Sequence, residues 1–256
     1  MISKNQIKFV HQLEHKKFRR SEGLFVAEGT KVVGDLLAHY KPREVFATSE
    51  WLADHQGDYT TQEVTDDELR RLSFLQHPQQ VLALFPIPEP LSPTTTAANA
   101  SLFNLNSSLS LALDGIQDPG NLGTIIRIAD WFGITHIFCS DDTADAWNPK
   151  VVQATMGSIA RVNIIYLNLS QFIDKLPPNY PVYGTLLDGE DIYTQPLTPH
   201  GLIVMGNEGN GISQEIRSRV NHRLLIPSYR TDDTVDSLNV AIATAITCAE
   251  FRRRSY

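Results

Sequence analysis

Residues 109–139 read LSLALDGIQDPGNLGTIIRIADWFGITHIFC. An apolar run at 109–114 meets a Pro-Gly turn, a helical pattern follows over roughly 121–132, and a second apolar run closes the stretch at 135–139. Strand, helix and strand in about thirty residues is the unit from which parallel sheets are built. The rhythm continues outward, with apolar runs at 161–167, 181–187, 201–205 and 222–226. Helical patterns fall between and after them, at 150–157, 170–176, 212–220 and 237–252. The expected fold is α/β, a mostly parallel sheet covered on both faces. Such sheets bind ligands at the loops beyond the carboxyl ends of their strands.

Three of those loops are chemically unusual. In the first, Asn121 is placed to cap the helix after the Pro-Gly turn. Gly123 precedes Arg127 by four residues, so the two share a helix face. Helical side chains lean toward the N-terminus, which lets Arg127 lie back over the bare glycine toward the 118–121 loop. An arginine among exposed amides at a helix start suits a phosphate or a ribose. A surface arginine paired with Asp118 is the plainer alternative.

The second loop, Gly206-Asn207-Glu208-Gly209-Asn210-Gly211, ends an apolar strand with glycines at relative positions one, four and six. This is not the dinucleotide spacing, and no Lys-Ser or Lys-Thr follows to make a Walker loop. Glycines allow a flat ligand to approach the backbone closely, although a tight turn before a capping Ser213 explains them equally well. In the third loop, Ile226-Pro227 leads through the polar stretch 228–236 into Ser237-Leu238-Asn239. There Ser237 can cap the last helix, with Asn239 in its first turn.

Composition sets the class. The chain has 256 residues, 42% hydrophobic and 20% charged, which excludes wholesale disorder. Cys139 and Cys248 stand 109 positions apart, which excludes a disulfide scaffold or a CxxC metal knuckle and fits a reducing compartment. Charges interrupt every apolar stretch near the N-terminus and no apolar run approaches membrane-spanning length, so a cytoplasmic protein is expected. A net charge of −7 speaks against coating nucleic acid through bulk charge. That charge is uneven. Residues 1–20 carry six Lys or Arg against Glu14 alone, a balance of +5, while the other 236 hold 16 basic and 28 acidic residues, a balance of −12. Lys16, Lys17, Arg19 and Arg20 form the densest basic group and are candidate RNA contacts.

Pro86, Pro88, Pro90 and Pro93 mark residues 86–100 as a stiff linker between a first unit at 1–85 and a second at 101–256. The first unit reads as a basic helix, a strand at 24–28 ending in Gly29, a helix capped by Thr30, and strands at 44–48 and 80–85.

Taken together, the N-x-G-x-x-x-R of Asn121 to Arg127, the G-N-E-G-x-G of 206–211, Ile226-Pro227 and Ser237-Leu238-Asn239-Val240 closely resemble the SpoU family of RNA ribose 2′-O-methyltransferases, within the SPOUT superfamily. Ala154-Thr155-Met156-Gly157-Ser158 is similar to a further segment of that family. The first unit resembles the family's N-terminal RNA-binding domain, an α/β module related to small ribosomal proteins. The resemblance implies a SPOUT fold with a deep C-terminal trefoil knot over roughly 183–246, S-adenosyl-L-methionine bound in that knot, and a homodimer. By the same resemblance, Leu186, Gly206, Asn207, Gly209, Ile226, Pro227 and Leu238 would hold the cofactor. Asn121, Arg127, Glu208, Ser237 and Asn239 would form the catalytic cluster. The substrate would be ribosomal or transfer RNA. Where the family often has Met and Gly after Ile-Pro, this chain has Ser228-Tyr229-Arg230 and then Asp232, Asp233 and Asp236.

Two other functions compete: an inactive RNA-binding assembly factor with the same fold, and a SPOUT enzyme that methylates a base. The complete set Asn121, Arg127, Glu208 and Asn239 argues against the first. His11-Gln12-Leu13-Glu14-His15 fits the inverted zinc-protease pattern H-x-x-E-H. Its place in a basic terminal segment makes chance the better explanation, and no metal is expected.

Overall fold

The computed structural model describes residues 1–89, 107–229 and 237–254. Most of the expected linker, and the acidic residues Asp232, Asp233 and Asp236, lie outside the described residues. In chain order the first elements are α1 (Lys4–Gln12), α2 (Lys16–Glu22), β1 (Leu24–Glu28), α3 (Thr30–Leu37), β2 (Glu44–Ala47), α4 (Ser49–Asp54), β3 (Thr61–Glu63), α5 (Asp66–Leu72) and β4 (Val81–Pro86). Then come β5 (Leu109–Asp114), α6 (Pro119–Trp131), β6 (His136–Cys139), α7 (Pro149–Ala154), β7 (Asn163–Tyr166) and α8 (Leu169–Ile173). The chain closes with β8 (Val182–Asp191), β9 (Gly201–Gly206), α9 (Gln214–Arg217), β10 (His222–Leu225) and α10 (Val240–Arg253).

Two compact units result, one of them Met1–Glu89 together with Asp145–Arg161. The segment 145–161, expected with the second unit, therefore belongs to the first. Its α7 packs against β1, and the Trp147 ring sits 4.8 Å from that of Phe25. The sheet of this unit has the order β1-β4-β2-β3, with only the β2–β3 pair parallel. Val10, Leu13, Val26, Phe46, Leu69 and Leu84 are among the residues that fill its core. Gly29 occupies the cap position of α3 at φ 85, so Thr30 is the first helical residue and not the expected cap. The capping box Thr65–Glu68 opens α5, where Glu68 N donates to Thr65 Oγ1 at 3.3 Å and Thr65 N to Glu68 Oε2 at 3.1 Å.

The other unit is a six-stranded, wholly parallel sheet in the order β10-β8-β9-β5-β6-β7. Strands β5, β6 and β7 step toward one edge. The chain then returns to the other side of β5, so β5 and β9 flank the point where strand order reverses. Crevices for ligands open at such points, outside the carboxyl ends of the strands. Helices α6 and α10 pack together, tied by Arg252 Nε donating to the Phe132 carbonyl at 2.7 Å. Both cysteines are buried and unpaired, and burial pushes the Cys248 thiol up to about 12. No helix among the described residues is long and apolar enough to cross a membrane.

Candidate active site

At the reversal point Asp114 ends β5 beside Gly206, which ends β9. Two bonds lace the loops that follow. Ser213 N donates to Asp114 Oδ2 at 2.7 Å, and Asn207 Nδ2 donates to the Gly115 carbonyl at 2.7 Å. Asn207 also closes its own loop, its Oδ1 accepting from Gly209 N at 2.9 Å and Asn210 N at 3.0 Å, while its backbone exchanges two 2.9 Å bonds with Gly211. The turn is so tight that a Cβ on Gly206 would lie 2.2 Å from the Gly211 and Ile212 backbone. The spacing of glycines thus serves closure of the turn, and Glu208 is left exposed at its tip.

The two flanking helices are capped differently from expectation. Asp118, not Asn121, caps α6: its Oδ1 accepts from Asn121 N at 2.7 Å, with Pro119 as the first helical residue. Pro is favoured at that position because its missing N–H would have had no partner. Asn239, not Ser237, caps α10, its Oδ1 accepting from Ala241 N at 3.0 Å and Ile242 N at 3.3 Å. Asn121 thereby keeps its whole side chain free for other partners. Its Nδ2 donates to Glu208 Oε1 at 2.8 Å, and its Oδ1 accepts from Asn239 Nδ2 at 2.9 Å. Residues 87 and 118 positions away along the chain thus meet on one amide.

Arg127 is exposed on α6 and makes no ion pair with Asp118; among the described residues it makes no hydrogen bond either. Ser237 is exposed two residues before the α10 cap and joins none of these bonds among the described residues.

The residues expected to hold the cofactor lie at mid-β8, at the carboxyl ends of β9 and β10 and just before α10. Strand β8 has an unusual ladder here. Tyr183 and Gly184 pair with His222 and Arg223, but the next pairs are Glu190 with Leu224 and Asp191 with Leu225. On its other side β8 pairs with β9 only as far as Gly184 with Val204. Among the described residues, 185–189 appear in neither register, so the backbone at Leu186 and Leu187 departs from the regular ladder. The Leu186 side chain is in the core and Leu187 is 77% exposed. Such irregular backbone suits a purine edge, and half-buried Ile226 and Pro227 with exposed Leu238 supply apolar surface. The donor set fits S-adenosylmethionine.

The basic segment divides. Lys16, Lys17 and Arg20 are exposed, whereas Arg19 is buried, at 1% exposure. Its Nε donates to Asp145 Oδ2 at 3.1 Å, and Nη1 donates to the Leu13 and Glu14 carbonyls at 2.8 and 2.6 Å. A guanidinium with its donors spent on buried acceptors has none left for a phosphate, so Arg19 leaves the RNA-facing set and anchors α2. Of the H-x-x-E-H match, His11 gives its Nε2 to the Arg71 carbonyl at 3.0 Å, and the pattern straddles the break between α1 and α2.

Sequence reasoning missed Asp118, Asn207 as a latch and the Asp114–Ser213 link. Asp-Pro-Gly before an apolar helix is a readable cap signal for the first, but the latch depends on strand neighbours far apart in sequence.

Comparison with known proteins finds the following likenesses. The family described as SpoU rRNA Methylase matches residues 108–249, and the MRM3-like substrate binding domain matches 4–83. The chain is 30% identical over 252 residues to the 23S rRNA (guanosine(2553)-2′-O)-methyltransferase RlmP of Bacillus subtilis, covering 95% of both chains. A structure described as a putative RNA methyltransferase of the TrmH family from Porphyromonas gingivalis superposes at TM-score 0.85, with 40% identity and 99% of each chain covered. The AdoMet-bound rRNA methyltransferase from Sinorhizobium meliloti superposes at 0.81, with 29% identity over 100% of this chain and 97% of that one.

Proposed function

Because the chain belongs to the SpoU family of S-adenosyl-L-methionine-dependent RNA ribose 2′-O-methyltransferases, we propose that Asn121, Arg127, Glu208, Ser237 and Asn239 form its catalytic centre and that its substrate is ribosomal RNA. The observation that carries the assignment is the Asn121 amide bridging Glu208 and Asn239 at the reversal point of the sheet. The RlmP relative, spanned over 95% of its length, favours ribosomal over transfer RNA.

S-adenosylmethionine, when bound, supplies an electrophilic sulfonium methyl. The main chain around Leu186, Gly206, Asn207, Gly209, Ile226, Pro227 and Leu238 holds it. What the protein's side chains must do is place the ribose 2′-oxygen in line, since holding reactants in a near-attack geometry can remove roughly 7–11 kcal/mol from a barrier. The linked Asn121 and Asn239 amides give that site a fixed shape. Arg127, a permanent cation whose guanidinium makes no hydrogen bond among the described residues, grips the neighbouring RNA phosphate and stabilises charge developing on the 2′-oxygen.

The N-terminal unit binds the RNA, with Lys16, Lys17 and Arg20 on phosphates. The same reading includes the trefoil knot near the C-terminus, a cytoplasmic setting and a homodimer. Exposed Trp131, Leu238 and Ile242, on or just before α6 and α10, supply apolar surface for the partner copy.

The test is transfer of labelled methyl from S-adenosylmethionine into ribosomal RNA, with cofactor binding followed by calorimetry. The wild type should transfer, and Arg127→Ala should lose about 10²–10³-fold in rate while binding cofactor normally. Absence of transfer by the wild type would leave an RNA-binding factor as the function.

A further inference from the structure

The geometry points to a pocket in the N-terminal unit, centred on Glu28, that takes a guanine base of the substrate RNA. This rests on the reading that this unit binds RNA. A cavity of about 380 Å³ opens between β1, the turn after α5, and α7, all within one compact unit. That volume lies toward the small end for ligand pockets and gives room for one flat heterocycle. Val26, Leu75 and Val152 give it apolar walls, and the half-buried Phe74 ring offers a surface on which a base can stack.

Its polar centre, Glu28, is only 5% exposed. Phe74 N donates to Glu28 Oε1 at 3.0 Å, and the Ser73 hydroxyl donates to Oε2. The Ser73 proton takes that direction because Ser73 Oγ already accepts from Leu75 N at 2.9 Å. Each carboxylate oxygen accepts about two hydrogen bonds, so holding the 73–75 turn uses half of what Glu28 offers. Burial pushes this carboxyl up against the pull of Ser73, Phe74 N and His11, the mark of a buried charge short of donors.

Two adjacent oxygens, each with room for one more donor, match a ligand edge with two adjacent N–H groups. On its Watson–Crick edge only guanine has that pair, at N1 and N2; adenine, cytosine and uracil set an acceptor beside their donor. Guanine O6, next along the same edge, needs a donor in turn. The Asn148 and Gln153 side-chain amides line the cavity, and their nitrogens donate to nothing among the described residues. The Asn148 oxygen is spent capping α7, where it accepts from Lys150 N at 2.9 Å. Exposed Glu14 and Lys150 complete the polar lining, and Lys150, in no ion pair among the described residues, is available to a phosphate. Exposed Lys16, Lys17 and Arg20 in the same unit favour a base within a polynucleotide over a free nucleotide.

Two measurements on the full chain test this. Titrated with the four ribonucleoside monophosphates, the wild type should bind GMP at least about tenfold more tightly than AMP, CMP or UMP, with the backbone amide resonances of Phe74 and Leu75 shifting. Glu28→Gln keeps an acceptor for Phe74 N and should lose that preference. Ala154→Phe fills the cavity from α7, leaves the Glu28 bonds in place and should lose GMP binding altogether. With ribosomal RNA, both variants should bind about tenfold more weakly, while the salt slope stays that of the wild type because no phosphate contact is removed. Equal affinity for the four nucleotides, or Phe74 and Leu75 amides that do not respond, would overturn the pocket. GMP selectivity with unchanged RNA affinity in both variants would overturn an RNA base as its occupant. A wild type that binds no ribosomal RNA would overturn the RNA-binding reading of this unit, and the nucleotide titration, run without RNA, tells the two failures apart.

Discussion

Asn239 has two separable jobs, since its oxygen caps α10 and its nitrogen holds Asn121. Asp is as good a cap as Asn but has no donor to offer. Asn239→Asp should therefore keep its stability within about 1 kcal/mol, the usual worth of a cap, and still lose at least about tenfold in kcat. The physical reason is that Asn121 would turn its nitrogen toward the new carboxylate and present its oxygen to Glu208. Denaturant titration and methyl transfer on the same preparation check the split. Arg19 gives the opposite pattern. Removing its side chain strands Asp145 and the Leu13 and Glu14 carbonyls, so Arg19→Ala should cost about 3–5 kcal/mol in denaturant unfolding. Exposed Lys16→Ala should stay within about 0.5 kcal/mol.

At the scale of elements, the last turn of α10 carries a pH-dependent contribution. Arg253 donates to both Glu250 oxygens at 2.8 Å and Arg254 adds a third bond at 2.8 Å. Arg253, outweighing burial and helped by Arg254, holds the Glu250 carboxyl down to about 2. A carboxyl depressed on folding stabilises the folded state above its unfolded value and loses that contribution as pH falls toward the folded one. Acid unfolding of the wild type should thus steepen between about 4.5 and about 2. Glu250→Gln should be flatter in that window, and identical acid profiles would contradict the account.

The elements also mark what could be read in advance. The six strands of the larger unit were legible because each is a short apolar run bounded by a turn. In the smaller unit, β3 has three residues with exposed ends, too brief for any period to register. The capping box of α5, by contrast, is a signal that its sequence carries openly. Asn121 and Asn239 stand out by motif, yet the caps lie a few residues from where the motif suggests. Which of two neighbouring polar residues caps a helix depends on where the backbone turns, which the local sequence alone does not fix. Arg19 looks like its basic neighbours in sequence because its burial beside Asp145 involves a residue 126 positions away.

For the whole molecule, the total of −7 conceals the exposed Lys16, Lys17 and Arg20. Replacing these three by alanine should weaken RNA binding and shallow its log–log salt dependence by about 0.7 for each phosphate no longer neutralised. An unchanged slope would remove this segment from the RNA interface and leave the catalytic assignment intact. The central claim is that the Asn121–Glu208–Asn239 cluster directs a methyl group to a ribose oxygen. Its most direct test is digestion of the methylated ribosomal RNA to nucleosides, followed by chromatography and mass spectrometry. The account predicts label in a 2′-O-methylnucleoside, with the label absent in Asn121→Ala. Label recovered in a base-methylated nucleoside with an unmodified ribose would contradict it.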